Sequence, residues 1–214
     1  HSNAATLAET RDAPCGPTGT PPDGCVDTYI SNQPLNVAGC TIYVSYTVRR
    51  CPTGFSISNL TFTYSSGTIC DAIQQHFVSL YNMGNFGQLS TDMNSLYSYV
   101  STLIEQSELN NYTIPYCDEN FNISTEIFAA SCLQLCLSED IRGNPVVTQE
   151  TCGNGCCSRN SIYCINRETK ELEVYHQNGP IPTCLSNDVC NNEVQTECTV
   201  NCDRILFTKI FNGF

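Results

Sequence analysis

The chain has 214 residues, with 9 Lys plus Arg against 21 Asp plus Glu and a formal net charge of -12 at pH 7. So acidic a chain repels phosphate backbones and anionic bilayers, which sets nucleic acid aside as a partner, and no run approaches the roughly 18 apolar residues that a helical membrane span needs. Sixteen cysteines, an even number, would be a liability in a reducing cytosol, so they are expected to be oxidised in pairs.

Charged residues make up only 14% of the chain, so Asn, Ser, Thr, Gln and Tyr must cover its surface, a composition of extracellular settings. The opening HSNAATLAET carries no charged-then-apolar leader. The expectation is a secreted protein whose leader has been cleaved ahead of His1.

Residues 1–39 read as an extended arm, because APCGPTGTPPDGC packs prolines and glycines between two cysteines, and Cys15 with Cys25 could close a small loop there. At 41–49 Ile42, Val44, Tyr46 and Val48 alternate with Tyr43, Ser45, Thr47 and Arg49, the period of a strand with one buried face. The turn residues CPTG lead to a second strand at 55–64, making a hairpin. Its apolar positions change face between Ile57 and Leu60, which predicts a bulge near Asn59.

Helical period follows. Ile69, Ile73, Phe77, Leu80 and Tyr81 form the stripe of a short helix ending at Gly84, and Leu89, Met93, Leu96, Tyr97, Val100, Leu103 and Ile104 form that of a longer one capped by Ser90 or Thr91. A short strand is expected at 112–117, the stretch 123–137 reads as either strand or helix, and a hairpin with a polar ETKE tip is expected at 161–177. The last apolar run, Ile205, Leu206, Phe207, Ile210 and Phe211, predicts a strand that either completes the protein's own sheet or adds to a neighbouring molecule.

The fold class expected is α+β and strand-dominated: β-hairpins with two helices packed on them, plus a disulfide-rich C-terminal half. The division reads as an arm at 1–39, a hairpin and helix-pair core at 40–131, and a cysteine-rich β region at 132–214, which could form one continuous domain with 40–131. Cys15, Cys25, Cys40, Cys51, Cys70, Cys117, Cys132, Cys136, Cys152, Cys156, Cys157, Cys164, Cys184, Cys190, Cys198 and Cys202 are all expected in disulfides, because their spacings do not form the paired C-x2-C units of a zinc site. Sequence spacing leaves the connectivity open.

Chemistry is sparse. The only histidines are His1, His76 and His176, and the signatures of nucleophile elbows, P-loops, HExxH zinc sites and dinucleotide folds are missing. Paired acids such as Glu105 with Glu108 read as solvated surface carboxylates before they read as a glycosidase pair. Asp118, Glu119, Asn120 and Asn122 cluster oxygen ligands without the spacing of an EF-hand. Asn59, Asn111 and Asn122 each open an N-x-[ST] glycosylation sequon.

A histidine at the first position can bind Cu(II) through its amino and ring nitrogens, with a second imidazole completing the site. In that respect His1, together with the run His176, Gln177, Asn178, Gly179, Pro180, resembles the secreted copper-dependent polysaccharide monooxygenases. The resemblance implies an oxidative enzyme as one alternative. The preferred expectation is a structural or adhesive extracellular protein, not an enzyme, with no catalytic residue, metal or cofactor, that assembles with copies of itself by strand addition into a fibre or surface layer. A monomeric module binding extracellular glycans or proteins is the other alternative.

Overall fold

In a computed structural model, which describes residues 15–184, 189–190 and 196–206, the alternating segment after Cys40 is the second strand of a six-stranded sheet. β1 (Val26–Val37), β2 (Cys40–Cys51) and β3 (Gly54–Tyr64) form an antiparallel meander. Ile42, Val44, Tyr46 and Val48 are buried on one face of β2, as the alternation requires.

The extended arm expected over residues 1–39 is corrected at 26–37, where β1 pairs with β2 along its length. Periodicity concealed this strand because its phase breaks at a bulge between Ile30 and Gln33. Asn32 there takes φ 51° and donates its N–H to the Ser45 hydroxyl at 3.0 Å. The bulge expected in β3 is present: Ser45 faces Thr61 and Thr47 faces Ser58, so Asn59 and Leu60 together oppose Tyr46. Asn59 takes φ 54°, its side chain stays exposed, and Leu60 turns into the core.

β3 and β4 (Ile123–Ala130) run parallel, and the crossover between them carries α1 (Thr68–Asn82) and α2 (Phe86–Leu109). Ile73, Phe77, Leu80 and Tyr81 are buried, whereas Ile69 is half exposed at the first turn. The α2 cap is Asn85, ahead of the Ser90 or Thr91 expected, and its side-chain oxygen accepts the Gln88 N–H at 3.4 Å. The strand expected at 112–117 is a loop with one bridge, Tyr116 to Ile165. Pro115 has no N–H to donate, and its carbonyl accepts that of Ile165 at 2.8 Å.

After β4 the chain leaves the sheet at buried Ser131 and builds a second one from β5 (Cys132–Glu139), β6 (Pro145–Thr151) and β9 (Thr199–Val200). β7 (Cys156–Ile165) returns beside β4, and β8 (Leu172–Asn178) completes the expected hairpin, giving the order β1-β2-β3-β4-β7-β8. A single buried apolar cluster runs from Val37 to Ile205 and includes residues of both helices and both sheets.

All sixteen cysteines are paired. The small loop expected from Cys15 and Cys25 is corrected: Cys15 joins Cys156, and Cys25 joins Cys51. Cys40–Cys70 ties β2 to α1, and Cys117–Cys164 ties the 110–122 loop to β7. Cys132–Cys184, Cys136–Cys190 and Cys152–Cys198 hold the late chain against the second sheet, and Cys157–Cys202 links β7 to the segment before α3 (Asp203–Leu206). On the chain-entropy account, closing a loop of 45 to 54 residues contributes about 4 kcal/mol.

The parallel junction leaves no room beside Gly54. A Cβ there would lie 1.7 Å from the Ser124 carbonyl oxygen, at φ 147°. Gly54→Ala is expected to lower unfolding stability by about 3 kcal/mol in chemical denaturation, through strain and forced strand separation.

Candidate functional site

The titratable groups expected at the surface of α2 are inside. Glu105 and Glu108 are buried, which corrects the reading of both as solvated acids. Glu105 reaches between β4 and β7. One of its oxygens accepts from the Thr125 hydroxyl at 2.5 Å and the Tyr163 phenol at 2.8 Å, and the other pairs with Arg159. Arg159 is 1% exposed and Glu105 2%. Isolated, either charge would be strongly disfavoured in this interior; together they neutralise each other. The Nε and second terminal nitrogen of Arg159 have no hydrogen-bond partner among the described residues.

Glu108, one turn later, turns toward β2. It accepts from the Tyr46 phenol at 2.9 Å and from the Nε and a terminal nitrogen of Arg50, both at 2.8 Å. Burial and the adjacent carboxylates push the Tyr46 and Tyr163 phenols well above their ordinary range. Two acids therefore hold α2 from both sides, one through β2 and the other through β4 and β7.

The network reaches the surface at β8. His176 Nδ1 lies 2.9 Å from the Ser161 hydroxyl, beside Tyr163 on the same face of β7. Burial, then the positive charge of Arg159, lowers the His176 pKa below its ordinary 6.5. Ser161 itself is buried, so this serine and histidine have the proximity of a nucleophile and base without an accessible nucleophile. His1, the other histidine of the copper alternative, lies outside the described residues. His76 bonds Asp92 at 2.8 Å and links the two helices.

The sequon asparagines Asn59, Asn111 and Asn122 are all exposed. Asn111 lines a groove of about 520 Å³ with Pro52, Tyr112, Tyr116, Glu119, Phe121 and Ile123. Arg167 stacks over the Tyr116 ring at 4.2 Å and pairs with Asp118 at 2.9 Å, and Cys117–Cys164 anchors the loop beneath. Aromatic faces beside amide and carboxylate groups form a surface on which sugar rings can stack.

The apolar terminal strand is corrected as far as it is described. Ile205 and Leu206 lie in the helical turn α3, and Ile205 is fully buried in the molecule's own core. Phe207, Ile210 and Phe211 lie outside the described residues. Beside Ile205, the Arg204 guanidinium sits 4.4 Å above the Tyr97 ring and donates to the Ala130 carbonyl at 2.6 Å.

Among the described residues, the larger sheet has two margins that carry no further strand. β1 ends it on one side and β8 on the other. β1 carries the bulge at Asn32 and, at Pro34, a residue without an N–H, both of which discourage pairing. β8, with sequence LEVYHQN, has neither proline nor lysine, keeps unbroken register with β7, and leaves Leu172, Val174 and Tyr175 exposed.

No helix among the described residues is long and apolar enough to cross a membrane. No protein-family model, curated protein or solved structure matches this chain.

Sequence reasoning missed Arg159 although the signal was present: it has the same strand parity as buried Cys157, Ser161 and Tyr163. Glu105→Gln is expected to cost about 3–5 kcal/mol by leaving Arg159 without a counter-charge, and adding Arg159→Met should recover most of that loss. Chemical denaturation of the single and double variants checks both expectations.

The His176 shift has a definite sign. Its pKa is depressed on folding, so its contribution is full above the unfolded value of 6.5 and is lost as pH falls through the folded value. His176→Gln should flatten the stability difference between about pH 7.5 and about pH 5, measured by denaturation at each.

Proposed function

We propose that the chain is a secreted structural or adhesive unit, not an enzyme, that associates with copies of itself through the margin of its six-stranded sheet. The observation that carries this reading is the edge at β8, which no other strand among the described residues covers, opposite an edge at β1 that is broken by a bulge and a proline. Natural sheets blunt edges they do not use, and an edge left in regular register without proline, lysine or bulge is a template for another strand. Eight disulfides support an oxidising compartment. The engaged state of Glu105, Arg159, Ser161 and His176 also favours a structural use of those groups.

The assembling element proposed is β8. The C-terminal run is less suited, because Ile205 is committed to the interior. One favourable edge supports a closed pair, whereas a fibre needs a second contact.

A second reading rests on the groove at 111–123, whose aromatic lining favours an extracellular glycan. Light scattering on the purified protein separates the two. Self-association that rises with concentration, unaffected by added oligosaccharide, is the expected result. A monomer throughout, with saturable oligosaccharide binding lost in Phe121→Ala, would replace the first reading by the second.

A further inference from the structure

Gly179 donates its N–H to the Ser158 carbonyl at 2.8 Å, and Asn166 donates to that of Glu171 at 2.9 Å. In an antiparallel pair, directly bonded positions alternate with positions whose main-chain groups point away. With the register of β7 and β8, the bonded positions of β8 are Glu173, Tyr175 and Gln177. The N–H and C=O groups of Leu172, Val174, His176 and Asn178 therefore point out of the sheet edge. Among the described residues no helix packs substantially on β8, so the approach to these groups lies beyond the described helical layer.

Resting on the self-association reading, we infer that β8 pairs antiparallel with β8 of a second copy about a two-fold axis at Tyr175. This register sets Val174 opposite His176 of the second copy and Leu172 opposite Asn178, each as a bonded pair. All four outward-pointing residues of each copy then find partners. Tyr175 faces its own counterpart at a non-bonded position, where side chains approach most closely.

Charge selects the occupant. With a net charge of -12, two copies repel at long range, so a contact between them must carry little charge of its own. β8 has one ionised side chain, Glu173, and the two-fold register places it opposite neutral Gln177. Its carboxylate already accepts from the Tyr175 phenol at 2.6 Å and the Asn166 amide at 2.6 Å. Past the strand ends, Glu171 falls opposite Gly179 and Lys170 opposite Pro180, so like charges never meet. The result is a continuous twelve-stranded sheet, six strands from each copy, with β1 at both outer margins.

A contact made by one seven-residue strand belongs to the small, transient class, so association is sought from about 10 µM to about 1 mM by sedimentation equilibrium. The expected result is a reversible monomer to dimer equilibrium. Val174→Pro removes an outward N–H while sparing the bonds to β7, and should abolish dimerisation.

Should that variant misfold, two exposed substitutions give the same reading. Gln177→Glu should raise the dimer Kd about fivefold by placing like charges opposite at two symmetric positions, and Gln177→Lys should lower it by a similar factor. Tyr175→Cys should cross-link two copies through the introduced thiol and its own counterpart, as identified by peptide mapping, whereas Gln177→Cys should not. A dimer that is unmoved by the position 177 variants and fails to cross-link at 175 overturns this register while leaving self-association standing. A monomer at every concentration overturns both.

Discussion

The parallel contact between β3 and β4 is the constraint on which the rest of the structure depends. Antiparallel strands can be joined by a turn, but parallel neighbours require the chain to travel back along the sheet before it re-enters. Here the return path is α1 and α2, so both helices lie over one face and supply the buried partners of Ile42, Val44, Tyr46, Val48 and Ile57. Gly54 marks the junction, where the backbones come too close to accommodate a side chain. Among the described residues the helices, α3 included, pack on β2, β3, β4, β6 and β7 rather than on β8.

Once α2 is committed to that face, its acids have to be satisfied there. Glu105 and Glu108 do so in different directions, through Arg159, Thr125 and Tyr163 on one side and Arg50 and Tyr46 on the other. Such pairs are poor sources of net stability compared with apolar packing, but a displaced pair is costly, so they penalise any other seating of the helix. The second sheet depends less on apolar burial and more on covalent links. β5 itself carries Cys132 and Cys136, and between them buried Gln134 binds the Thr196 carbonyl at 2.6 Å and the Val189 N–H at 2.8 Å.

This division of labour bears on function. The core end of the molecule is closed by charge pairs and the cysteine-rich end by disulfides, and among the described residues two features face outward. One is the aromatic groove on the 110–122 loop, and the other is the edge of β8. Both are held by rigid neighbours: the groove by Cys117–Cys164, the edge by an unbroken ladder to β7. A surface presented in this way loses little conformational entropy when it meets a partner.

The pattern of residues by itself determined the first hairpin, the bulge at Asn59, the two helices, the last hairpin and the oxidised state of the cysteines. Each depends on local periodicity, turn chemistry or composition, which a linear reading contains. Only the tertiary structure decided which cysteine meets which, because connectivity depends on distances between segments up to 141 residues apart. The same holds for β1, whose phase is broken by Asn32, and for Glu105 and Arg159, whose charges look like surface until two elements close over them. Ile205 shows the converse: its apolar run read as a strand, and the described part is a helical turn in which Ile205 is buried. Local preference is worth tenths of a kcal/mol per residue, whereas burial of one large apolar side chain is worth about 1.5–3 kcal/mol, so where the two conflict the tertiary contact prevails.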